Sequence, residues 1–141
     1  MVHKYRSTTK WSDEEDVHAT MDMDSGFSCK FHKPAEFGGV DGLLNPEDAF
    51  VGSLAMCYSI TFQEIADKMR LDIDDFELTT VGILEETDEG RLFTTIRLEP
   101  VITSDESEKK ILRAVDLVED HCLISRSMKS KMEIRPKIIK K

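Results

Sequence analysis

The sequence predicts an α+β fold in which antiparallel sheets are wrapped around long central helices. The segment 45–70 has apolar residues around nearly its whole circumference, which is typical of a long helix covered on most sides. Runs of alternating apolar and polar residues, typical of half-buried strands, lie on both sides of it. A second, amphipathic helix follows. The order of strands, helix, strands, helix and strand favours antiparallel meanders over parallel βαβ units.

The N-terminal region predicts an antiparallel meander of three strands. Residues 2–11 form a polar first strand, and residues 12–16 form a charged loop. The alternating apolar residues of the second and third strands are Val17, Ala19, Met21 and Met23, then Phe27, Cys29 and Phe31. Residues 33–44 contain three glycines and a proline, so they predict a loop that leads into the long helix.

The long helix is predicted to begin at Asn45, whose short side chain can accept a hydrogen bond from an amide of the first turn. Pro46 suits the first helical position because no amide hydrogen is needed there. Glu47 and Asp48 complement the positive end of the helix dipole. Since the helix is apolar on most sides, other elements or a second chain must cover it.

After the long helix, residues 76–86 and 91–102 predict two strands, and the loop 87–90 has the composition of a hairpin turn. These strands form a second antiparallel pair. Residues 131–139 predict one last strand, and its place is the sheet edge because Pro136 has no amide to donate to a ladder.

The second helix is predicted to begin with a capping box formed by Thr103 and Glu106. Acidic residues in its first turn complement the helix dipole. Its buried stripe, spaced by three and four residues, consists of Ile111, Val115, Val118 and Cys122. The stripe places Cys122 on the inner face of this helix or just past its end.

Length and composition restrict the class of protein. With 141 residues and 40% hydrophobic content, the chain suits a single domain, 1–141. It shows neither a signal-peptide core nor an apolar run of about 20 residues, so a cytoplasmic protein is expected. The net charge of −9 argues against nucleic acid and membrane partners. Three cysteines without CxxC spacing and four scattered histidines predict free or redox-active thiols, without a metal or cofactor.

Two of the cysteines, Cys57 and Cys122, fall on the inward faces of the two predicted helices. Free cysteine often behaves as a small hydrophobe, so core packing alone is one interpretation of both residues. Cys29, which alternates with Phe27 and Phe31, has the same interpretation. The chemistry therefore depends on the pattern around Cys57 and Cys122.

The string Asn45-Pro46-Glu47, the small-residue segment 52–56 before Cys57, and Cys122 in the second helix form such a pattern. Together with the Gly-rich loop and the element order, they resemble the OsmC/Ohr family of osmotically inducible protein C and organic hydroperoxide resistance proteins. The resemblance implies an OsmC-like fold in an intertwined homodimer. It also implies a cofactor-free stress-response peroxidase that reduces organic hydroperoxides, with a small or protein dithiol as reductant.

The resemblance also implies roles for individual residues. Cys57 would attack the peroxide and become a sulfenic acid, and Cys122 would condense with it to a redox-active disulfide. A buried thiol needs help to ionise, and the family supplies an arginine held by the glutamate at the position of Glu47. This chain has no arginine between Arg6 and Arg70. The candidate cations are Lys30, His32, Lys33 and Arg126.

The spacing of Glu47 and Cys57 leads to a geometric prediction. Ten residues of continuous helix separate them by about 15 Å and by roughly 80° around the axis. If both belong to one site, Glu47 must come from a second chain, which predicts a homodimer with two interface sites. A non-catalytic OsmC-like dimer that binds an apolar small molecule at its interface is the alternative function. A structural stress protein with packing cysteines is a third.

Overall fold

A computed structural model describes residues 1–12 and 19–141, and within them the chain forms two β-sheets and three α-helices. The helices are α1 (Pro46–Lys68), α2 (Glu108–His121) and α3 (Leu123–Ser127). The strands are β1 (Ser7–Lys10), β2 (Ala19–Met23), β3 (Ser28–Phe31), β4 (Asp75–Thr87), β5 (Gly90–Thr103), β6 (Lys131–Ile134) and β7 (Lys137–Ile139). This α+β architecture confirms the predicted fold class. The chain divides into two units, Met1–Phe50 and Val51–Lys141.

The first unit contains the predicted meander. Strands β1, β2 and β3 form an antiparallel sheet in that order, with Thr9 opposite Met21 and Met21 opposite Cys29. Strand β1 is shorter than the predicted strand 2–11, and the residues before Ser7 are exposed. The predicted charged loop and Val17 lie largely outside the described residues.

The loop after β3 is predicted correctly in its main part, but it contains a short 3-10 helix, Ala35–Phe37. Its ends are held together by a hydrogen bond from the His32 amide to the Leu44 carbonyl (3.0 Å). At Gly39 a side chain is excluded, because a Cβ atom there would lie 1.6 Å from the Lys33 carbonyl oxygen. The glycine-rich composition therefore reflects close backbone approach within this loop.

Helix α1 begins as predicted. Asn45 Oδ1 accepts a hydrogen bond from the Asp48 amide at 2.7 Å, and Asn45 Nδ2 donates to the Asp48 carboxylate at 2.9 Å. The helix ends before Arg70, whose φ of 56° is left-handed. Its buried residues share one face: Leu54, Tyr58, Thr61, Phe62, Ile65 and Ala66.

Within one chain, helix α1 is not covered on all sides, so the second chain expected to cover it stays a prediction. Met56 is 65% exposed and Ile60 is 57% exposed. Four residues separate them, so they lie on one face, roughly opposite the buried one. An apolar stripe of helix α1 thus remains uncovered within the chain.

The second sheet combines an antiparallel hairpin with two parallel strands. Strands β4 and β5 are joined by the predicted turn, where Gly90 has a φ of 98°. Strands β6 and β7 both pair in parallel with β5, so the single tail strand predicted at 131–139 is wrong. Pro136 lies between the two strands, where its missing amide costs no ladder bond. The path from β5 through the helices to β6 is a parallel crossover, which corrects the prediction of meanders alone.

Helix α2 begins later than predicted. Its N-cap is Ser107, whose Oγ accepts from the Lys110 amide at 3.3 Å, so the capping box of Thr103 and Glu106 is wrong. Thr103 is still paired in β5, and the buried Ser104 hydroxyl donates to the Asp72 carbonyl at 2.6 Å. The buried stripe itself is confirmed, with Ile111, Ala114, Val115 and Val118 covered and Cys122 following them.

The core of the second unit lies among α1, the β5 strand and α2. Its side chains with almost no exposed surface include Leu54, Phe62, Ile96, Leu98, Ile102, Ile111 and Val118. Strand β4 approaches α1 so closely that a Cβ at Gly82 would lie 2.5 Å from Val51 Cγ2. No helix in the described part of the chain has the length and apolar character needed to cross a membrane.

Candidate active site

Cys57 lies on helix α1 at the border between its buried face and its exposed apolar stripe. The thiol is half-buried. Thr61, one helical turn further on, places its hydroxyl oxygen 3.9 Å from the Cys57 sulfur. The helical period accounts for this position, since Cys57 lies between the directions of Tyr58 and Met56 around the axis. Cys57 is therefore accessible while still in contact with the interior.

Cys122 lies at the junction of α2 and α3, and it is fully buried. Its extended backbone (φ −75°, ψ 103°) ends α2 and begins α3. Its amide donates to the Val118 carbonyl at 2.8 Å, and its own carbonyl accepts from the Arg126 amide (3.2 Å) and the Ser125 hydroxyl (3.1 Å). These bonds hold the sulfur at a fixed place between the two helices.

The fold brings Cys57 and Cys122 together although 65 positions separate them in the sequence. Both are free thiols, and they lie near enough for each to change the pKa of the other. Cys29, on strand β3 of the first unit, is a free, half-buried thiol. The pair Cys57 and Cys122 therefore defines the candidate site.

Burial raises the pKa of the Cys57 thiol, but hydrogen-bond donors outweigh burial and leave the pKa below its usual value. The strongest donor is the backbone amide of Ile124, followed by the Cys122 thiol, the Thr61 hydroxyl and the Leu123 backbone amide. The two amides belong to the first turn of α3, where a helix has no internal acceptors for them. The geometry thus favours a Cys57 thiolate, the nucleophilic form of cysteine.

The surroundings of Cys122 act in the opposite direction. Burial is the main cause that raises the pKa of the Cys122 thiol, and its hydrogen bond to Cys57 and the nearby Cys57 charge raise it further. The amide and hydroxyl of Ser125 oppose this effect without cancelling it. The pair therefore consists of a more acidic thiol, Cys57, and a less acidic one, Cys122.

The predicted cations occupy two different parts of the chain. Lys30 is an exposed residue of β3, and His32 Nδ1 accepts a hydrogen bond from the amide of the exposed Lys33 at 2.9 Å. All three belong to the first unit, so their participation in the Cys57 site stays a prediction. Arg126 is an exposed residue of α3, four positions after Cys122.

Glu47 lies in the first turn of α1. One of its carboxylate oxygens, Oε2, is buried and has no hydrogen-bond partner among the residues that the structure describes. Helix α1 is unbroken from Pro46 to Lys68, so the condition behind the predicted separation of Glu47 from Cys57 is met. Its catalytic role stays a prediction.

Sequence reasoning missed the donors around Cys57. Thr61 follows Cys57 by four positions, so helical spacing could have identified it as a neighbour. No sequence pattern indicates helix α3 or its amides, because this five-residue helix has neither a capping side chain nor an apolar period.

Two cavities lie in the second unit near the helices. One, of about 200 Å³, is lined by Tyr58 and by Ser125 and Arg126 of α3. The other, of about 590 Å³, has apolar walls that include Ile60, Phe62 and Phe76, with several aspartates at its edge. Within residues 1–12 and 19–141, no cluster of three or more histidine, cysteine or acidic side chains has the arrangement needed for a metal ion.

The fold and the thiol pair define an α+β protein with two neighbouring free cysteines, one with a lowered pKa and one with a raised pKa. Residues 39–137, more than half of the chain, match the model of the OsmC-like protein family, so the chain belongs to this family. The recognition made from the sequence is thereby confirmed.

Individual relatives are distant in sequence and similar in fold. The uncharacterized protein YmaD of Bacillus subtilis is 27% identical over 107 residues, which cover 72% of this chain and 71% of that protein. An OsmC-like protein of unknown function from Vibrio cholerae has a TM-score of 0.87 at 20% identity, covering 96% and 99% of the two chains. The organic hydroperoxide resistance protein OhrB of Bacillus subtilis has a TM-score of 0.66 at 18% identity, covering 96% and 98%.

Proposed function

We propose that this protein is a thiol peroxidase that reduces organic hydroperoxides by way of a Cys57 sulfenic acid and a Cys57–Cys122 disulfide. The observation that supports it best is the pair of neighbouring free thiols, in which the pKa of Cys57 is lowered and the pKa of Cys122 is raised. A peroxidatic thiol must be ionised and accessible, and a resolving thiol must be adjacent. The partly exposed Cys57, with its lowered pKa, suits the first role, and the buried Cys122 suits the second.

The cycle begins when the Cys57 thiolate attacks one oxygen of the hydroperoxide. The O–O bond breaks, the OH oxygen stays on sulfur so that Cys57 becomes a sulfenic acid, and the alkoxide takes a proton from water and leaves as the alcohol. Cys122 then attacks this sulfur, so that an S–S bond forms and the S–O bond breaks, and the hydroxyl group leaves as water with the Cys122 proton. A small or protein dithiol finally reduces the disulfide by two exchange steps and is itself oxidised to a disulfide.

The surface near Cys57 suits a hydroperoxide with an apolar group. Leu123, whose amide points to the Cys57 sulfur, is 63% exposed, and Met56 and Ile60 are exposed on the same helix as Cys57. Apolar side chains around an accessible sulfur gain from contact with a hydrocarbon chain or an aromatic ring. Such surroundings favour fatty or aromatic hydroperoxides over hydrogen peroxide.

A homodimer is part of the proposal. The apolar stripe of Met56 and Ile60 is exposed in the single chain, and burying it against a second α1 helix would remove it from water. The buried, unpartnered Oε2 of Glu47 supports a further ligand for this carboxylate. An antiparallel pair of α1 helices would bring Glu47 of one chain toward Cys57 of the other, where Lys30, His32, Lys33 or Arg126 would supply the cation.

The test is one equivalent of cumene hydroperoxide added to the fully reduced protein. We expect the mass to fall by two hydrogens and a Cys57–Cys122 peptide link to appear after digestion, while Cys29 stays alkylatable. Hydrogen peroxide, as the matched comparison, should oxidise the pair more slowly. If the thiols stay reduced after excess hydroperoxide, the peroxidase proposal is lost.

The alternative is a non-catalytic dimer that binds an apolar small molecule. The cavity of about 590 Å³ supports it, since Ile60, Phe62 and Phe76 give it an apolar side, while aspartates line the rest. In that case an apolar ligand would raise the unfolding temperature of the protein even after both thiols are alkylated. Hydroperoxide would then leave the thiols unchanged.

A further inference from the structure

Thr61 has a buried hydroxyl on helix α1, one turn after Cys57. The residue is 8% exposed, and it shares the buried face of the helix with apolar side chains such as Leu54, Phe62 and Ile65. A valine has the same branched shape, and it would fill this position without burying a polar group. The presence of a hydroxyl on this face therefore has to be explained by the group that it bonds.

The partner of this hydroxyl is the Cys57 sulfur. Thr61 Oγ1 lies 3.9 Å from Cys57 Sγ, a distance that a hydrogen bond to the large sulfur atom can span, and the contact is partly buried. Helix geometry produces this contact, because residues four positions apart lie on one face and a helical side chain leans back over the preceding turn. The contact therefore follows from an unbroken helix α1, which runs from Pro46 to Lys68.

A threonine hydroxyl can act as donor or as acceptor, because its hydrogen rotates about the C–O bond. Opposite a neutral Cys57 thiol, either atom can be the donor. Opposite a thiolate only the hydroxyl can donate, and a hydrogen bond to a charged atom is stronger than one between neutral groups. Burial strengthens the bond further, since little water competes for it. Thr61 thus stabilises the ionised form of Cys57 without any movement of a heavy atom.

We propose that Thr61 is a positioning residue for Cys57, whose sulfur it holds by a hydrogen bond in its place beside Cys122, first as the thiolate and then as the sulfenic acid. The inference rests on the proposed function. The other groups that act on this sulfur are the Leu123 and Ile124 amides and one titratable side chain, Cys122, and they come from α3 and its junction with α2. Thr61 supplies a donor from α1 itself, so it fixes the sulfur relative to its own helix.

Two steps of the cycle depend on the position of this sulfur. In the first, the Cys57 thiolate attacks the hydroperoxide, and the sulfur keeps its negative charge until the S–O bond forms. In the second, Cys122 attacks the same sulfur, so that the S–S bond forms, the S–O bond breaks, and hydroxide leaves as water with the Cys122 proton. The Thr61 hydroxyl can donate to the sulfenic oxygen or accept from its O–H group, so it can bond both forms of Cys57. A sulfur that stays beside Cys122 is resolved before it is oxidised further.

The test compares Thr61→Val, which keeps the branched shape and removes the hydroxyl, with Thr61→Ser, which keeps the hydroxyl. Ser59→Ala is the matched control, because it removes a hydroxyl of the same helix two positions from Cys57, where residues do not face each other. The readout is the pH profile of Cys57 alkylation, followed on the Cys57 peptide by mass spectrometry. In Thr61→Val the midpoint should rise, and alkylation at pH 7 should slow by about threefold to tenfold, because a hydrogen bond to a charged group is lost. Thr61→Ser and Ser59→Ala should match the wild type.

A further variant separates the hydroxyl from packing. Thr61→Ala removes the hydroxyl without adding a methyl group, so its midpoint should rise as in Thr61→Val even where valine disturbs the core. A midpoint that stays at the wild-type value in both variants would overturn the inference. A shift in Thr61→Ser as large as that in Thr61→Val would overturn it too, because the hydroxyl would then not cause the effect. The same holds for an equal shift in Ser59→Ala.

A second measurement follows the sulfenic acid. After one equivalent of cumene hydroperoxide in the presence of dimedone, Thr61→Val should give about threefold more Cys57 adduct, relative to the Cys57–Cys122 disulfide, than the wild type gives. An equal ratio in the two proteins would overturn the inference for the sulfenic acid. A wild type that forms neither adduct nor disulfide would overturn the proposed function, and the alkylation profiles would still decide whether Thr61 acts on Cys57.

Discussion

The middle of helix α1 and the junction of α2 with α3 each contain a cysteine, and the two surroundings shift the pKa of the thiol in opposite directions. Cys57 is half-buried and faces two free backbone amides, so its pKa is lowered. Cys122 is fully buried, and burial raises its pKa. The difference arises from the break between α2 and α3, which directs the Leu123 and Ile124 amides toward one sulfur. Apolar neighbours alone would have made both thiols inert.

The largest expected effect comes from replacing each of the two cysteines with serine in separate variants. Cys57→Ser should reduce the consumption of organic hydroperoxide by about a thousandfold or more, because the nucleophile is lost. Cys122→Ser should complete one turnover and then proceed to sulfinic acid at Cys57, because no thiol resolves the sulfenic acid. Steady-state peroxide assays and intact-protein mass spectrometry measure both results. If Cys122→Ser lost as much peroxide consumption as Cys57→Ser and showed no sulfinic acid at Cys57, the assigned roles would be contradicted.

The next largest effect concerns the surface beside Cys57. Met56→Glu together with Ile60→Glu should weaken the proposed dimer by about a hundredfold, because two charges would be buried in an apolar interface. Light scattering over a range of concentrations measures the shift to monomer. Lys68→Glu makes the same change in net charge at an exposed position of the same helix that lies off the apolar stripe, so it is the matched control and should have a smaller effect. A wild type that is monomeric at micromolar concentration would contradict the dimer.

A smaller effect should follow from removing one amide from the Cys57 site. Leu123→Pro deletes the Leu123 N–H at the first position of α3, where proline is tolerated, and the extended backbone of Cys122 suits a residue before proline. Leu123→Ala removes the side chain and keeps the amide. We expect Leu123→Pro to raise the pKa of Cys57, so that its alkylation at pH 7 slows by about threefold to tenfold relative to Leu123→Ala.

The pH dependence of Cys57 alkylation shows in which direction the pKa of this thiol has moved. A lowered pKa means that the Cys57 thiolate, and with it the alkylation rate, persists to lower pH than for an ordinary cysteine. In Leu123→Pro the midpoint should move upward, toward the ordinary thiol value. A midpoint that is the same in the proline and alanine variants would show that this amide does not stabilise the thiolate.

The smallest effect should come from the donor on the Cys122 side. Ser125→Ala removes a hydroxyl whose one proton is shared between the Cys122 carbonyl (3.1 Å) and the Cys122 thiol, so the pKa of this thiol should rise further and disulfide formation should slow by about twofold to threefold. Ser127→Ala is the control, because its hydroxyl donates to the Leu123 carbonyl on the same helix (2.7 Å). Stopped-flow measurement of disulfide formation should separate the two variants.

Local patterns explain why much of the fold could be predicted. The Asn45 cap, the turn at Gly90 and the buried stripe that leads to Cys122 each depend on residues within a few positions of one another. The predicted capping box at Thr103 failed because β5 continues to Thr103 through pairing with β4 and β7. Parallel pairing of β6 and β7 depends on a partner strand far away in the sequence, so no local pattern indicates it.

The sequence by itself determined which two cysteines face the interior, because the 3.6-residue period fixes the direction of each side chain on α1 and α2. It also contained the Asn45-Pro46-Glu47 pattern that indicates the family. Only the tertiary structure decided which thiol is the acidic one. The pKa of a thiol depends on hydrogen-bond donors within a few ångströms. Those that act on Cys57 include the backbone amides of Leu123 and Ile124. Nearly every residue has a backbone amide, so only the folded structure decides which amides lie next to the sulfur.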